Sequence, residues 1–398
     1  MANCSALEHL GGLESYISLV RNQTRFDEAA LLLCQRQICF AIWGEDNPGV
    51  SGIGVSVGYI IEVALCFLLA TAIPTVQALK KFLPRCRAWE KVLCVAFDVF
   101  LDCAINFALA VQLASLVLLI QRYLINRLTK GFGANDVRIA TANSVLCILP
   151  LLYPLAVGTE PQEEHTGEQQ PGQQQCRRCS QKEKYSTRLT LFYLIVSLFL
   201  VPFVLQCIHN WEPSRIGDSP TADGTIIASE AEWGAVMRVC FGDVRQFSNA
   251  EITAIAVFEL LGSLMVIIFA IWHPVAAAFD EPSQNAVSAA IASIVRMVKG
   301  SRDRKGVKLS VALLLAPLGP AVPLLWGIFR LRDIQGKFAE RMGGPYSGNE
   351  WGFGQIIGLV IFAPVFIEAC SAWKHRSRPG CNSRDRSSST HLPQTTPG

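Results

Sequence analysis

The stretch VAFDVFLDCAINFALAVQLASLVLLI, from Val95 to Ile120, decides the fold class of this chain. It is longer than the roughly 20 apolar residues that an α-helix needs to cross about 30 Å of hydrocarbon. Four polar side chains nevertheless lie inside it: Asp98, Asp102, Asn106 and Gln112. Because polar groups are costly in lipid, this segment predicts a membrane helix whose polar positions have a structural or functional role.

The composition of the whole chain supports a membrane protein. Of its 398 residues, 51% are hydrophobic and 17% are charged, whereas soluble domains average about 25% charged residues. We therefore expect an all-α, polytopic membrane protein with a bundle of seven transmembrane helices. The predicted spans are Ile53–Leu79, Val92–Gln121, Asp136–Val157, Thr187–His209, Ile252–His273, Gly306–Phe329 and Trp351–Trp373.

The third predicted span is the weakest of the seven. It begins with Asp136 and Arg138 and contains Asn143, so its polar content is high for a segment in lipid. The sixth contains three prolines, Pro317, Pro320 and Pro323, which either kink the helix or shape a pocket.

Lysine and arginine are distributed unequally between the two sides of the predicted bundle. One side carries 21 of them and the other carries 14. Because the richer side is usually cytosolic, we expect an N-terminus that is outside or lumenal and a cytosolic C-terminus. The first twenty residues have no apolar core, so the first span is expected to act as the insertion signal. The expected location is the endoplasmic reticulum or another endomembrane.

Three regions follow from these spans. Residues 1–52 form a lumenal N-terminal region with an interfacial or lumenal helix over Thr24–Trp43. Residues 53–373 form the transmembrane domain, and residues 374–398 form a basic, disordered cytosolic tail.

The predicted lumenal side carries candidate modification sites. Asn22 and Asn3 begin glycosylation sequons. Four cysteines on this side are able to form disulfides in an oxidising compartment, although the sequence leaves their pairing open. They are Cys4, Cys34, Cys39 and Cys240.

Several classes of function lack their motifs. Cys176-x-x-Cys179 is a lone CxxC and therefore a weak zinc signal. There is no Walker loop, no GxSxG elbow and no DDxxD motif, and the basic residues do not alternate with aromatic ones. We expect no metal site, no cofactor and no binding of nucleic acid; the expected surroundings are a lipid bilayer.

Carboxyl groups inside the spans are the main candidates for chemistry. Lysine and arginine are nearly absent from the deep positions, so these acids have no evident cationic partner. An apolar setting favours the neutral carboxylic acid, which can act as a proton donor. The candidate catalytic acids are Asp98, Asp102, Glu62, Glu259 and Glu368.

The second span arranges its polar residues on one side. At about 100° per residue, Asp98, Asp102, Asn106 and Gln112 fall within an arc of about 120°, which we expect to look inward, with Asp102 near the membrane midplane. Two interpretations remain open. The stripe either lines a substrate cavity, with Asn106 and Gln112 binding the substrate, or forms a hydrogen-bonded seam between helices.

Two stretches of the chain carry a resemblance. FDVFLDCAINFALAVQLASLVLL and NEWGFGQIIGLVIFAPVFIEA resemble segments of fungal seven-helix membrane proteins. Some members of that group resemble the membrane-bound terpene cyclases of meroterpenoid biosynthesis, of the ascofuranone and macrophorin type. Beyond these two stretches the resemblance is one of architecture. The chain departs from the shorter cyclases of indole-diterpene pathways by its long N-terminal region and its long loop from Gly158 to Lys184.

This resemblance implies cyclisation of a prenylated (farnesylated) aromatic compound or its epoxide, in secondary metabolism and beside other pathway enzymes. Asp102 or Asp98 would then donate a proton, and Glu62, Glu259 or Glu368 would assist or accept the final proton. Asn106 would orient the reacting group. Aromatic faces can stabilise the intermediate cations; the candidates are Tyr59, Phe97, Phe100, Phe107 and Phe258.

Two other functions remain as alternatives. Seven helices with an external N-terminus are typical of receptors, but neither a DRY triplet in the third span nor an NPxxY motif in the seventh is present. A proton-coupled transporter of small molecules could use the same acids, although the chain shows no internal repeat.

Overall fold

The computed structural model describes residues 4, 21–22, 25–26, 28–43, 52–79, 86–120, 134–157, 171–208, 229–278, 304–344, 346–349 and 353–376. Within these ranges the chain is helical apart from short turns and a two-residue antiparallel pair, Arg21–Asn22 with Arg25–Phe26. The all-α prediction is confirmed. The helices are α1 (Glu28–Leu33), α2 (Gln35–Trp43), α3 (Ile53–Leu79), α4 (Cys86–Ile120), α5 (Ala134–Leu146), α6 (Leu149–Val157), α7 (Pro171–Ile208), α8 (Glu230–Phe241), α9 (Asn249–Ala278), α10 (Arg304–Arg341), α11 (Phe353–Val360) and α12 (Ala363–Arg376).

Six helical segments in the described part of the chain are long and apolar enough to cross a membrane. They are Ile53–Val76, Trp89–Ile120, Arg138–Ala156, Glu183–Val204, Asn249–Trp272 and Ile356–Lys374. Each corresponds to one of the predicted spans, so the chain is a multi-pass membrane protein. The remaining predicted span, Gly306–Phe329, lies within α10, whose side chains before Ala316 are outside the described set.

The third span lies at the centre of the bundle. In the most apolar 18-residue stretch of this span, 94% of the residues are buried. The corresponding fraction is 22% for the span Asn249–Trp272 and 17% for the span Ile356–Lys374. It contacts α3, α4, α7, α9 and α10. The polar residues that made this span the weakest by sequence are tolerated because protein, rather than lipid, surrounds them.

The third and seventh spans are both broken. Turns at Cys147–Ile148 and Ile361–Phe362 separate α5 from α6 and α11 from α12. A proline follows each turn, Pro150 and Pro364, and removes a backbone donor from the next helical turn. The sixth span behaves differently, since α10 continues without a break through its three prolines.

A second apolar cluster, here called the cap, is built from α1, α2, α8 and the last turns of α10. Trp43 lies at its centre, with its ring 4.8 Å from Phe241 and 5.6 Å from Trp233 between centroids. The predicted helix over Thr24–Trp43 thus begins at Glu28 and packs against protein.

Two disulfides hold the cap together. Cys4 is bonded to Cys34, and Cys39 is bonded to Cys240, which lies 201 residues away in the sequence. The expectation that these four cysteines pair is confirmed, and the structure supplies the connectivity that the sequence left open.

Other expectations meet the structure only in part. The loop predicted from Gly158 to Lys184 is helical from Pro171 onward, because α7 begins there. Asn22 lies in the short strand pair. Asn3 and most of the predicted tail lie outside the described residues.

Candidate functional site

Arg188 on α7 binds both aspartates of the polar stripe. Its Nε donates to Asp102 Oδ1 at 2.6 Å, its Nη1 donates to Asp98 Oδ1 at 3.0 Å, and its Nη2 donates to the Asp98 carbonyl at 2.9 Å. Lys184 Nζ lies 3.1 Å from Asp102 Oδ2. These four side chains form the outer charge network.

The expectation that these two acids lack a cationic partner is therefore wrong. Their partners come from α7, one turn apart, at the beginning of the span Glu183–Val204. Sequence spacing on α4 shows which residues share a side of that helix, but it does not show which helix lies beside them. Arg188 directly precedes the apolar run that starts at Leu189. Its partner Asp102 therefore lies near one end of the predicted span and not at the expected midplane.

The polar stripe does not look inward as one face. The Asp98 side chain is 59% exposed and that of Asp102 is 38% exposed. Asn106 is exposed too, and its Nδ2 donates to the Asp102 carbonyl on its own helix at 2.9 Å. Of the four stripe residues, Gln112 alone is buried. The inward face of α4 instead carries small and aromatic residues such as Ala104 and Phe107, which fill the core.

A second polar cluster lies inside the bundle. Glu62 on α3 has no exposed surface, and neither of its carboxyl oxygens has a hydrogen-bond partner among the described residues. The hydroxyl of Tyr59, one turn earlier, is buried and equally without a partner there. Glu62 is close enough to Tyr59 and Cys147 to interact with both electrostatically. We call Tyr59, Glu62, Gln112 and Cys147 the central site.

The break in the third span builds one wall of the central site. Ile148 N–H donates to the Val145 carbonyl at 3.1 Å, whereas a regular α-helix would direct it to Ser144. The Ser144 carbonyl accepts a hydrogen bond from Gln112 Nε2 at 2.6 Å, and Gln112 Nε2 also lies 3.5 Å from Cys147 Sγ. Gln112 Oε1 is buried without a hydrogen-bond partner among the described residues.

The Cys66 thiol satisfies a second carbonyl of the broken helix. It lies 3.3 Å from the carbonyl oxygen of Pro150. The helical donor to that oxygen would come from Pro154, which has no N–H. Both contacts follow the rule that irregular backbone at membrane depth must find new partners or line a cavity.

Aromatic rings extend from the central site toward the break in the seventh span. Ring centroids are 5.3 Å apart for Tyr59 and Phe107, 5.5 Å for Phe107 and Phe362, and 6.3 Å for Phe362 and Phe100. Phe362 lies in the turn of the seventh span, so both broken helices adjoin this region. Three of these rings were sequence candidates; Phe362 was not, although Pro364 is a sequence signal for the turn that contains it.

The remaining acids occupy other environments. Glu259 is buried on α9, and Glu368 is exposed on α12. Within the described residues, no group of three or more His, Cys, Asp or Glu side chains is placed to hold a metal ion. Cys176 and Cys179 lie on α7, but their side chains are outside the described set.

No protein family, curated protein or solved structure matches this chain. Function must therefore be inferred from the geometry of the central site and of the outer charge network.

Proposed function

We propose that this protein is a membrane-embedded terpene cyclase that protonates a lipophilic prenylated aromatic substrate, or its epoxide, with Glu62 as the proton donor. The observation that carries this proposal is the environment of Glu62. It is a fully buried carboxyl group without a hydrogen-bond partner among the described residues. Buried polar groups are nearly always hydrogen-bonded, so an exception in a membrane span points to a functional site.

Glu62 suits this role better than the two aspartates that the sequence favoured. Both oxygens of Asp102 accept from cationic side chains, and Asp98 is bound to Arg188 and largely exposed. An acid of a cyclase needs to keep its proton for the substrate and to keep water away from the cation that forms. The enclosed surroundings of Glu62 meet both needs.

The proposed reaction needs no oxidant and no reductant. Glu62 Oε–H transfers its proton to the epoxide oxygen or to a terminal alkene carbon, which leaves a carbocation. In the epoxide case the C–O bond breaks as the proton arrives. The π electrons of the next alkene then form the ring bond, and loss of a proton from the last cation restores an alkene. The Glu62 carboxylate can accept that proton, so the enzyme returns to its starting state and the product is an isomer of the substrate.

Neighbouring groups support this chemistry. The ring of Tyr59 lies one helical turn from Glu62, and the rings of Phe107 and Phe362 follow it in a chain of contacts. Aromatic faces attract cations. Gln112 is held by its hydrogen bond to Ser144, and its Oε1 has no hydrogen-bond partner among the described residues. It is therefore placed to orient the substrate.

We also infer seven spans, a lumenal N-terminus and an endomembrane location. The α9 helix starts near the cap and α10 ends inside it. Since α9 leads away from the cap, α10 has to return through the membrane and supplies the missing span. Disulfides form in oxidising compartments, so the two bonds of the cap favour a lumenal position for it, in agreement with the charge distribution.

The decisive experiment measures product formation by microsomes that contain the full chain, with a farnesylated phenol and its epoxide as substrates. Glu62→Gln should lower the rate by about 10²-fold or more. The matched control is Glu368→Gln, which alters an exposed acid of the same bundle and should keep the wild-type rate. Full activity of Glu62→Gln, or no cyclised product from the wild type, would contradict the proposal.

One observation favours a second candidate, a proton-coupled transporter. Discontinuous helices beside a buried acid are typical of transporter binding sites. Here the third span breaks near Glu62, and the seventh breaks at Phe362, whose ring contacts Phe107. Uptake of a lipophilic weak acid into reconstituted vesicles, driven by a pH gradient and abolished by Glu62→Gln, would support transport in place of cyclisation.

A further inference from the structure

The outer charge network lies on the outside of the bundle, where the apolar run of α7 starts at Leu189. Asp98 and Asp102 belong to the span Trp89–Ile120, and Lys184 and Arg188 belong to the span Glu183–Val204. The side chain of Lys184 is 50% exposed and that of Asp98 is 59% exposed. Charged groups are costly against hydrocarbon. A lipid headgroup or water therefore has to cover this surface.

Some hydrogen-bonding groups of the network have no partner among the described residues, and they indicate which kind of ligand would bind there. Two acids and two bases make the network neutral. The Lys184 ammonium has three donors, and Asp102 is its one partner among the described residues. Asp98 Oδ2 accepts no hydrogen bond from a described residue, because Arg188 uses Oδ1 and the carbonyl oxygen. The surface thus offers a cationic donor and an anionic acceptor linked through one arginine.

The position along the span indicates the depth of that partner. The apolar run of α7 starts at Leu189; Arg188 directly precedes it, and Lys184 lies about 6 Å before Arg188 along the helix. This level corresponds to the boundary between the hydrocarbon and the headgroups, where lysine and arginine can extend toward the headgroup region. A ligand at this level with both signs of charge is a zwitterionic headgroup.

We propose that the exposed surface where α4 packs against α7, called the groove below, binds the headgroup of a phosphatidylethanolamine-type lipid. The phosphate accepts hydrogen bonds from Lys184, and the primary ammonium donates to the free oxygen of Asp98. A lipid with a single negative charge satisfies Lys184 but leaves Asp98 without a donor. A quaternary ammonium headgroup has no N–H to give to Asp98. In the orientation inferred above, this lipid belongs to the cytosolic leaflet; its binding does not depend on the cyclase function.

The test uses the full chain, purified in mild detergent and mixed with equal amounts of phosphatidylethanolamine, phosphatidylcholine and phosphatidylglycerol. Lipid retained by the protein is counted by native mass spectrometry. We expect the wild type to retain phosphatidylethanolamine preferentially, and Asp98→Asn and Lys184→Gln each to lose about tenfold in that preference, which is the effect of one charge-assisted hydrogen bond. The matched control is Asp333→Asn, since Asp333 on α10 also pairs with two cations, Arg330 and Lys337, but lies outside the groove.

Three results would overturn this inference. Equal retention of the three lipids by the wild type, or unchanged retention by both groove variants, shows that the headgroup is not recognised here. A wild-type dimer that Asp98→Asn or Lys184→Gln converts to a monomer shows that a second copy covers the groove instead. Monodisperse elution of each variant on size exclusion confirms that the variant is folded.

Discussion

Gln112 on α4 is hydrogen-bonded to the carbonyl oxygen of Ser144 on α5, at 2.6 Å. This oxygen has lost its regular helical donor, because the third span turns at Cys147–Ile148. One side chain thus joins two neighbouring helices and also completes the bonding of a broken one. The bond holds the Gln112 side chain in the same buried region as Glu62. In an unbroken helix the Ser144 carbonyl would accept from the backbone and would not be available to Gln112.

The first prediction concerns this bond. Gln112→Leu should lower the free energy of unfolding by about 1–3 kcal/mol. The buried Ser144 carbonyl then loses its short hydrogen bond from the amide and keeps only the weak Cys147 thiol donor at 3.5 Å. Asn106→Leu is the control, since Asn106 is exposed and bonds within its own helix; a change within about 0.5 kcal/mol is expected there. Thermal unfolding in detergent, followed by circular dichroism, measures both. Equal shifts for the two variants would show that the break does not need Gln112.

The second prediction concerns Arg188. Its planar group reaches Asp98 and Asp102 together, and a lysine cannot reproduce this forked geometry. We expect Arg188→Lys and Arg188→Met to destabilise the bundle, and Lys184→Met to change its stability by at most about 1 kcal/mol, because Lys184 is half-exposed. A double-mutant cycle with Asp102→Asn should give a larger coupling energy for Arg188 than for Lys184. A larger coupling for Lys184 would contradict this order.

The third prediction concerns the contact between α3 and α11. A Cβ atom at Gly58 would lie 3.2 Å from the carbonyl oxygen of Gly358 and 3.2 Å from the Phe107 ring. Gly58→Val should therefore cost about 1–3 kcal/mol of stability through overpacking. Gly319→Ala on α10 is the opposite case, since no atom lies within 4 Å of its Cβ position; it should be neutral or stabilising by about 0.5–1 kcal/mol. If Gly58→Val unfolded at the wild-type temperature, α3 and α11 would not pack this closely.

The fourth prediction concerns the cap and its side of the membrane. Cys240→Ser frees the thiol of Cys39 and should destabilise the cap by about 2–5 kcal/mol, the usual cost of losing a native disulfide. The Cys39 thiol is buried in the folded cap, so the labelling of sealed microsomes is carried out in urea, which opens the weakened cap. A membrane-impermeant maleimide should then label Cys39 only after the vesicles are opened, because the cap is inferred to be lumenal. The double variant Cys39→Ser/Cys240→Ser controls for labelling of other cysteines. Labelling of Cys39 in intact vesicles would reverse the orientation.

Residue type and hydrophobic length were enough to predict the fold class, six of the spans and the four cysteines that pair. This was possible because hydrophobic length is a property of one segment at a time. The sequence also identified Glu62, Tyr59 and Gln112 as candidates, since polar residues stand out in apolar runs.

Which polar residues lie together depends on the packing of the helices, which the sequence pattern does not show. Asp98, Asp102 and Gln112 fall in one arc of α4, yet Arg188 holds the first two at the outer surface while Gln112 is buried against the broken third span. The central position of that span and the pairing of Cys39 with Cys240 were equally inaccessible. The physical reason is the same in each case. A periodic pattern specifies the faces of one helix, whereas the partner of each face depends on how distant segments pack.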